Sequence, residues 1–145
     1  MVVTVRGYDL PVKASGTFSV TSFAPTPTVP EPPIATALDV GVSQMTKTYE
    51  GGIAGRSATL FTAAFDQAAG VGTYLAMESF EGTVDGRPGT FNFVHSATTG
   101  GTDRSNEFFA IVPASGTGAL AGITGGGGMA VDADGTHRVW FDYEL

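Results

Sequence analysis

Two ionisable side chains, Glu78 and His95, stand at positions where the surrounding pattern predicts apolar residues. Both lie in the segment MESFEGTVDGRPGTFNFVHS, which runs from Met77 to Ser96. A carboxylate and an imidazole that meet in an apolar environment shift each other's pKa values, and such a pair can donate or accept a proton near neutral pH. The alternatives are a satisfied hydrogen bond inside a core, a face covered by a partner subunit, and a pair of surface charges.

The dipeptide Asp85-Gly86 predicts how these two side chains are positioned. Asp-Gly between two alternating segments is typical of a two-residue type I′ β-hairpin turn. Such a turn sets the register of the two strands. Counting away from it gives the pairs Val84 with Arg87, Phe80 with Phe91, Glu78 with Phe93, and Ala76 with His95.

One face of this hairpin is aromatic and the other is more polar, so we expect the aromatic face to point inward. Glu78 and His95 both lie on the aromatic face, one diagonal step apart. Diagonal neighbours are roughly 7–8 Å apart at the backbone, so the two side chains can meet directly or through a water. The inward face contains Tyr74, Ala76, Glu78, Phe80, Phe91, Phe93, His95 and Ala97.

The predicted catalytic residues are Glu78, His95 and Tyr49. Tyr49 belongs to a strand whose orientation the pattern leaves open, since Met45, Lys47 and Tyr49 share one side and three polar residues share the other. If the Tyr49 side faces inward, its hydroxyl is a further polar group in the interior. The predicted substrate-binding residues are Phe18, Met45, Tyr74, Ala76, Phe80, Phe91, Phe93, Phe141 and Tyr143.

Period-two alternation dominates the rest of the chain and predicts eight strands. Gly-rich and Asp-Gly turns separate them, and their short spacing favours antiparallel neighbours. We expect an all-β fold, an eight-stranded antiparallel barrel with room for side chains or one small ligand; a two-sheet sandwich is the alternative. The predicted strands are 14–23, 37–50, 55–65, 73–84, 88–98, 106–113, 120–132 and 136–145.

The length of 145 residues predicts one domain, over 14–145, preceded by an arm over 1–13. The proline-rich stretch 24–33 holds five of the eight prolines and cannot form a ladder strand. We interpret it as a surface connection, with a lid over the barrel mouth as the functional alternative.

Composition excludes several classes of function. The net charge of −7, without any basic cluster, argues against nucleic acid and anionic membrane surfaces. There are no cysteines, and the two histidines lie far apart without a metal-binding spacing, so we expect no metal and no cofactor. We expect neither a signal peptide nor a membrane span, and therefore a soluble, cytoplasmic protein.

The glycine-rich segment SGTGALAGITGGGG, over 115–128, imitates a phosphate-binding loop only superficially. No Gly-Lys-Ser/Thr sequence follows, and the spacing GxGxxxG is not the dinucleotide fingerprint. We expect a bend or bulge where a strand turns a corner.

Trp140 lies on the charged face of the last strand, beside Arg138, Asp142 and Glu144. Tryptophan is enriched at interfaces. The sequence therefore predicts a homo-oligomer, a dimer, that uses the Trp140 face or the N-terminal arm.

Several stretches together resemble a bacterial family of uncharacterised small proteins with an allene-oxide-cyclase-like β-barrel. They are SGTFSVTSF, KTYEGGIAG, MESFEGTVDGRPGTFNFVHS, VPASGTGALAGITGGGG and the closing FDYEL, and they extend over 14–145. The resemblance implies that the family's Glu and His positions fall on Glu78 and His95. This chain departs from the family in its proline-rich insertion, in HSATTGG after His95 and in its N-terminal arm.

By analogy of fold, the resemblance implies a cofactor-free cyclase or isomerase that closes rings in an apolar polyene or polyketide, including by pericyclic cycloaddition. An aromatic cavity with few charges would hold reactive carbons close together. The alternatives are a non-catalytic carrier of a small hydrophobic ligand and a structural protein with a filled barrel.

Overall fold

Eight antiparallel strands form a sheet that closes on itself as a ring. The computed structural model describes residues 11–101 and 103–145. Each strand pairs with the next, and β8 returns to pair with β1. The strands are β1 (Val12–Pro25), β2 (Val40–Gly51), β3 (Ile53–Asp66), β4 (Val71–Val84), β5 (Arg87–Gly100), β6 (Asp103–Ile111), β7 (Thr124–Val131) and β8 (His137–Glu144).

The expected all-β, eight-stranded antiparallel architecture is confirmed, and so is the register of the β4–β5 hairpin. Asp85 and Gly86 have φ values of 50° and 79°, which fits the positive φ that both central positions of a type I′ turn require. The observed partners are Val84 with Arg87, Phe80 with Phe91, Glu78 with Phe93, and Ala76 with His95.

The aromatic face of this hairpin points into the ring. The centres of the Phe93 and Phe141 rings lie 5.2 Å apart. Because β5 and β8 are not neighbours in the sheet, these two rings meet across the interior. The buried apolar core inside the ring consists of Ala14, Tyr49, Ile53, Phe80, Val84, Phe91, Phe93, Ile111, Leu120, Ile123, Val139, Phe141 and Tyr143.

One end of the ring is closed. The segment between β6 and β7 contains a short 3₁₀ turn, Gly118–Leu120, and buries Leu120 and Ile123 in the core. The β4–β5 turn is tied to the last strand, because the Tyr143 hydroxyl donates to the Asp85 carboxylate at 2.6 Å. The β1–β2, β3–β4, β5–β6 and β7–β8 connections lie at the opposite end.

Two facing glycines allow β3 and β4 to approach each other closely. Gly55 pairs with Gly82, and their φ values are 143° and 154°. A Cβ on Gly82 would lie 2.0 Å from the Ala54 carbonyl oxygen, and one on Gly55 would lie 2.2 Å from that of Glu81. Only glycine combines this backbone with so close a strand contact.

Several predicted boundaries were wrong. The second strand begins at Val40 rather than at 37, and the seventh at Thr124 rather than at 120. In the first case the exposed proline-rich loop extends further than its prolines alone indicate. In the second, the 3₁₀ turn of the Gly-rich segment buries Leu120 as part of the closed end, where extended pairing would have been expected.

Trp140 is half-buried within its own chain. A Cβ on Gly128 would lie 2.3 Å from the indole, so the ring rests directly on that glycine, and the Lys13 ammonium lies 5.5 Å above it. The predicted dimer stays a prediction, and of the predicted arm the first ten residues lie outside the described part. Within the described ranges, no helix is long and apolar enough to cross a membrane.

We expect Gly82→Ala to destabilise the fold by at least about 2 kcal/mol, because it combines a strained φ with a backbone clash. The measurement is the free energy of unfolding from urea titration. Gly41→Ala is the matched control, since a Cβ there meets nothing within 4 Å. Equal stability of the two variants would show that position 82 does not require glycine.

Candidate functional site

The buried carboxylate of Glu78 is the centre of a polar layer inside the ring. The layer consists of Glu78, Lys47, Tyr49, Ser57 and His95. Glu78 is fully buried and accepts four hydrogen bonds from three strands. Its Oε2 accepts hydrogen bonds from Lys47 Nζ at 2.7 Å and from His95 Nε2 at 2.5 Å. Its Oε1 accepts hydrogen bonds from the hydroxyls of Tyr49 at 2.6 Å and Ser57 at 2.7 Å. The carboxylate is therefore saturated with donors.

These donors decide the ionisation state of Glu78. Burial alone would raise the pKa of its carboxyl group, but the hydrogen bond from His95 and the charge of Lys47 outweigh it and lower the pKa to about 2. Burial, followed by the charge of Glu78, raises the pKa of Tyr49. Glu78 is therefore an anion, and Tyr49 keeps its proton and donates it.

A chain of hydrogen bonds connects Glu78 to the edge of the ring. Burial lowers the pKa of His95, which favours the neutral imidazole. Because Nε2 donates to Glu78, Nδ1 accepts, and its partner is the Tyr74 hydroxyl at 3.0 Å. The Tyr74 oxygen in turn accepts from Arg104 Nη2 at 3.0 Å, and Arg104 Nε pairs with Glu107 at 2.8 Å.

A cavity of about 170 Å³ lies on the open side of this layer. Its walls are mainly apolar, and its polar lining includes Lys47, Tyr74, His95 and Arg104. A wider depression of about 630 Å³ at the mouth shares Phe61 and Tyr74 with it. The inner cavity is lined by Phe18, Val20, Met45, Lys47, Phe61, Tyr74, His95, Arg104, Met129, Ala130, Val131 and His137.

The wall of the ring is weakest beside this cavity. β6 and β7 share a single paired position, Ala110 with Gly126. A smaller cavity of about 120 Å³ lies there, lined by His95, Arg104 and Trp140 among others. His95 and Arg104 therefore border a cavity at the side of the ring as well as the inner cavity.

The predicted site residues divide into three groups. Glu78, His95 and Tyr49 meet as one cluster, although only His95 lines the inner cavity. Phe18, Met45 and Tyr74 also line the inner cavity. The other predicted substrate-binding residues are buried in the ring and do not line this cavity: Ala76, Phe80, Phe91, Phe93, Phe141 and Tyr143.

Sequence reasoning missed Lys47, Ser57 and Arg104 as site residues. Lys47 was detectable in part, since it alternates with Met45 and Tyr49 and the structure turns that side of β2 inward. Ser57 and Arg104 reach the site only through pairing and closure of the ring. Within 11–101 and 103–145, no three His, Cys, Asp or Glu side chains are grouped so as to hold a metal ion.

Residues 14–143 match the family described as protein of unknown function, DUF3224, and the chain belongs to that family. A crystal structure of a DUF3224 protein of unknown function from Shewanella oneidensis MR-1 is similar, with a TM-score of 0.78 and 26% sequence identity. The similarity covers 93% of this chain and 98% of that one. No curated protein matches the sequence. Neither match names an allene oxide cyclase or a pericyclase.

We expect Glu78→Gln to cost about 3–5 kcal/mol of unfolding free energy, because it leaves the Lys47 charge buried without its partner. Lys47→Met should cost a similar amount for the converse reason, and the double variant should recover much of the loss. Urea titration of the four proteins measures this coupling.

Glu81→Gln is the control, since it breaks the exposed ion pair with Arg56 and should cost at most about 1 kcal/mol. A Glu78→Gln protein as stable as this control would contradict the central role of the buried pair.

We expect stability to fall with acid in two windows. The lowered pKa of His95 gives stability that is present above about pH 6.5 and declines below it, because the unfolded state gains a proton first. The pKa of Glu78, about 2 instead of 4.5, gives about 3 kcal/mol that is lost as the pH falls from 4.5 towards 2.

Urea titrations at several pH values test this with His95→Gln as the comparison. The variant should lose the part of the decline that begins near pH 6.5, and its second window should move to higher pH because the hydrogen bond from His95 helps to lower the pKa of Glu78. A profile parallel to that of the wild type would show that His95 does not cause this decline.

Proposed function

We propose that this DUF3224 protein binds a small apolar molecule inside its ring of strands, with the polar end of the molecule against Lys47 and Tyr74. The observation that carries the proposal is the apolar cavity whose deep end bears fixed, buried polar groups. Ligand sites are commonly concave and apolar with a few convergent polar groups.

The dimensions support an elongated ligand. An apolar cavity of about 150 Å³ accommodates a benzene-sized molecule. The inner cavity of about 170 Å³ can therefore hold one end of the ligand, and the depression of about 630 Å³ at the mouth can hold the remainder. A fully packed structural interior fits the closed half of the ring but not this half.

A cofactor-free cyclase or isomerase on an apolar polyene or polyketide, in the manner of the allene-oxide-cyclase barrels, is the second candidate. The observation that favours it is the buried Lys47 ammonium, which Glu78 holds in place beside the inner cavity. Pre-oriented donors in a dry site stabilise charge that develops during a reaction, and confinement brings reactive carbons together.

The contacts give each predicted catalytic residue a defined part in such a reaction. Glu78 and Tyr49 do not line the inner cavity, and the carboxylate already has four donors, so both would act as positioning residues. His95 lines the cavity but uses both ring nitrogens within the protein. Lys47 and Tyr74 would touch the substrate.

We expect Met45→Trp to abolish binding of n-butylbenzene by filling the inner cavity. Gln44→Trp is the matched control, since the adjacent side chain lies on the exposed outer face and the change should leave binding intact. Chemical-shift titration measures affinity, and circular dichroism checks the fold.

Failure of the wild type to bind n-butylbenzene would contradict the proposal. Turnover is followed in parallel by incubating conjugated polyenes with wild type and Met45→Trp and analysing the products by chromatography. Products formed only by the wild type would favour the cyclase, and binding without any product would favour the carrier.

A further inference from the structure

The deep end of the cavity offers hydrogen-bond donors without matching acceptors. Lys47 Nζ carries three protons, and in the described part of the chain one is accepted by Glu78 Oε2 at 2.7 Å. The ammonium also lies 4.6 Å from the centre of the Phe18 ring. The described hydrogen bonds thus leave ammonium protons available beside the cavity.

The other polar groups there have their acceptor atoms occupied. His95 uses Nε2 as a donor to Glu78, and its Nδ1 accepts from Tyr74. The Tyr74 oxygen already accepts from Arg104 Nη2, and a guanidinium has no acceptor. His137 is exposed at the rim, where water can serve its ring nitrogens.

The charges at this end are already balanced. Lys47 is paired with Glu78, and Arg104 is paired with Glu107. A carboxylate on the ligand would add an unbalanced negative charge close to Glu78, and an ammonium would add an unbalanced positive one. Burying such a charge is costly, so the site favours a neutral group.

We infer that the buried end of the ligand is the carbonyl group of a ketone or aldehyde, seated on the Lys47 ammonium. This inference rests on the proposed function and names its ligand class. A carbonyl oxygen accepts hydrogen bonds and donates none, which matches a deep end where the Lys47 protons are available and the acceptor atoms of Tyr74 and His95 are occupied. A hydroxyl would have to bury its own proton without an acceptor.

The site should discriminate strongly between these groups. Leaving a buried donor or acceptor unpaired is penalised far more than a made hydrogen bond is rewarded. We expect a ketone to bind about tenfold or more tightly than the alcohol of the same shape. The hydrocarbon of the same shape should also bind more weakly, since it leaves the Lys47 protons unpaired.

Four probes of similar shape test the inference: acetophenone, 1-phenylethanol, isopropylbenzene and benzoate. Chemical-shift titrations give the affinity of each for the wild-type protein and for the Lys47→Met/Glu78→Gln double variant, which removes both charges together. We expect acetophenone to bind most tightly to the wild type, and its preference over isopropylbenzene to disappear in the double variant.

Infrared spectroscopy of bound ¹³C=O acetophenone is independent of any variant and covers the case in which the double variant fails to fold. The carbonyl stretch should move to lower frequency than in hexane, because the Lys47 ammonium donates to the oxygen. An unshifted stretch would overturn the inference.

The outcomes separate the inference from the proposed function. Tight binding of isopropylbenzene with no preference for acetophenone would overturn the carbonyl assignment, but it would support the proposal that the cavity binds apolar molecules. Tightest binding of 1-phenylethanol or benzoate would also overturn it. Absence of binding by all four probes and by n-butylbenzene would contradict the proposed function itself.

Discussion

The buried Glu78 carboxylate is the constraint on which the interior depends. A carboxylate inside a protein must be paired and fully hydrogen-bonded, since leaving it unpaired costs several kcal/mol. Its four donors come from β2, β3 and β5, while Glu78 itself lies on β4. A slip of one residue in any of these strands would turn a donor to the outer face and leave the carboxylate unsatisfied. The cluster therefore specifies the register of half the ring.

The two halves of the interior have different physical roles. The closed half is filled with aromatic and aliphatic side chains, and the Phe91, Phe93 and Phe141 rings contact one another across it. This packing supports the polar layer from below and keeps its donors in fixed positions. The open half retains a cavity of about 170 Å³. A rigid floor beneath an accessible cavity is the arrangement that a selective binding site needs.

The polar layer is also connected to the exterior. Arg104, Tyr74 and His95 form a continuous chain of hydrogen bonds that ends at Glu78. This chain passes beside the seam between β6 and β7, where the sheet has a single paired position. His95 and Arg104 therefore line both the inner cavity and the smaller cavity at this seam. The similarity to the Shewanella oneidensis protein extends over nearly the whole of both chains, so the two share the fold.

The sequence by itself determined the features that depend on neighbouring residues. Asp85-Gly86 required a type I′ turn, so the pairing of Glu78 with Phe93 and of Ala76 with His95 followed by counting, and period-two alternation indicated which side chains share a face. The orientation of β2 was ambiguous, because Lys47 beside Met45 and Tyr49 is compatible with either face. Only the closed sheet decided that Lys47 is buried, that Ser57 and Arg104 join the cluster, and that Phe80 and Phe91 fill a core while Phe18 and Phe61 line a cavity. These outcomes depend on which strands meet across the ring, and contacts between distant strands are set by the packing of the whole chain, which no local pattern encodes.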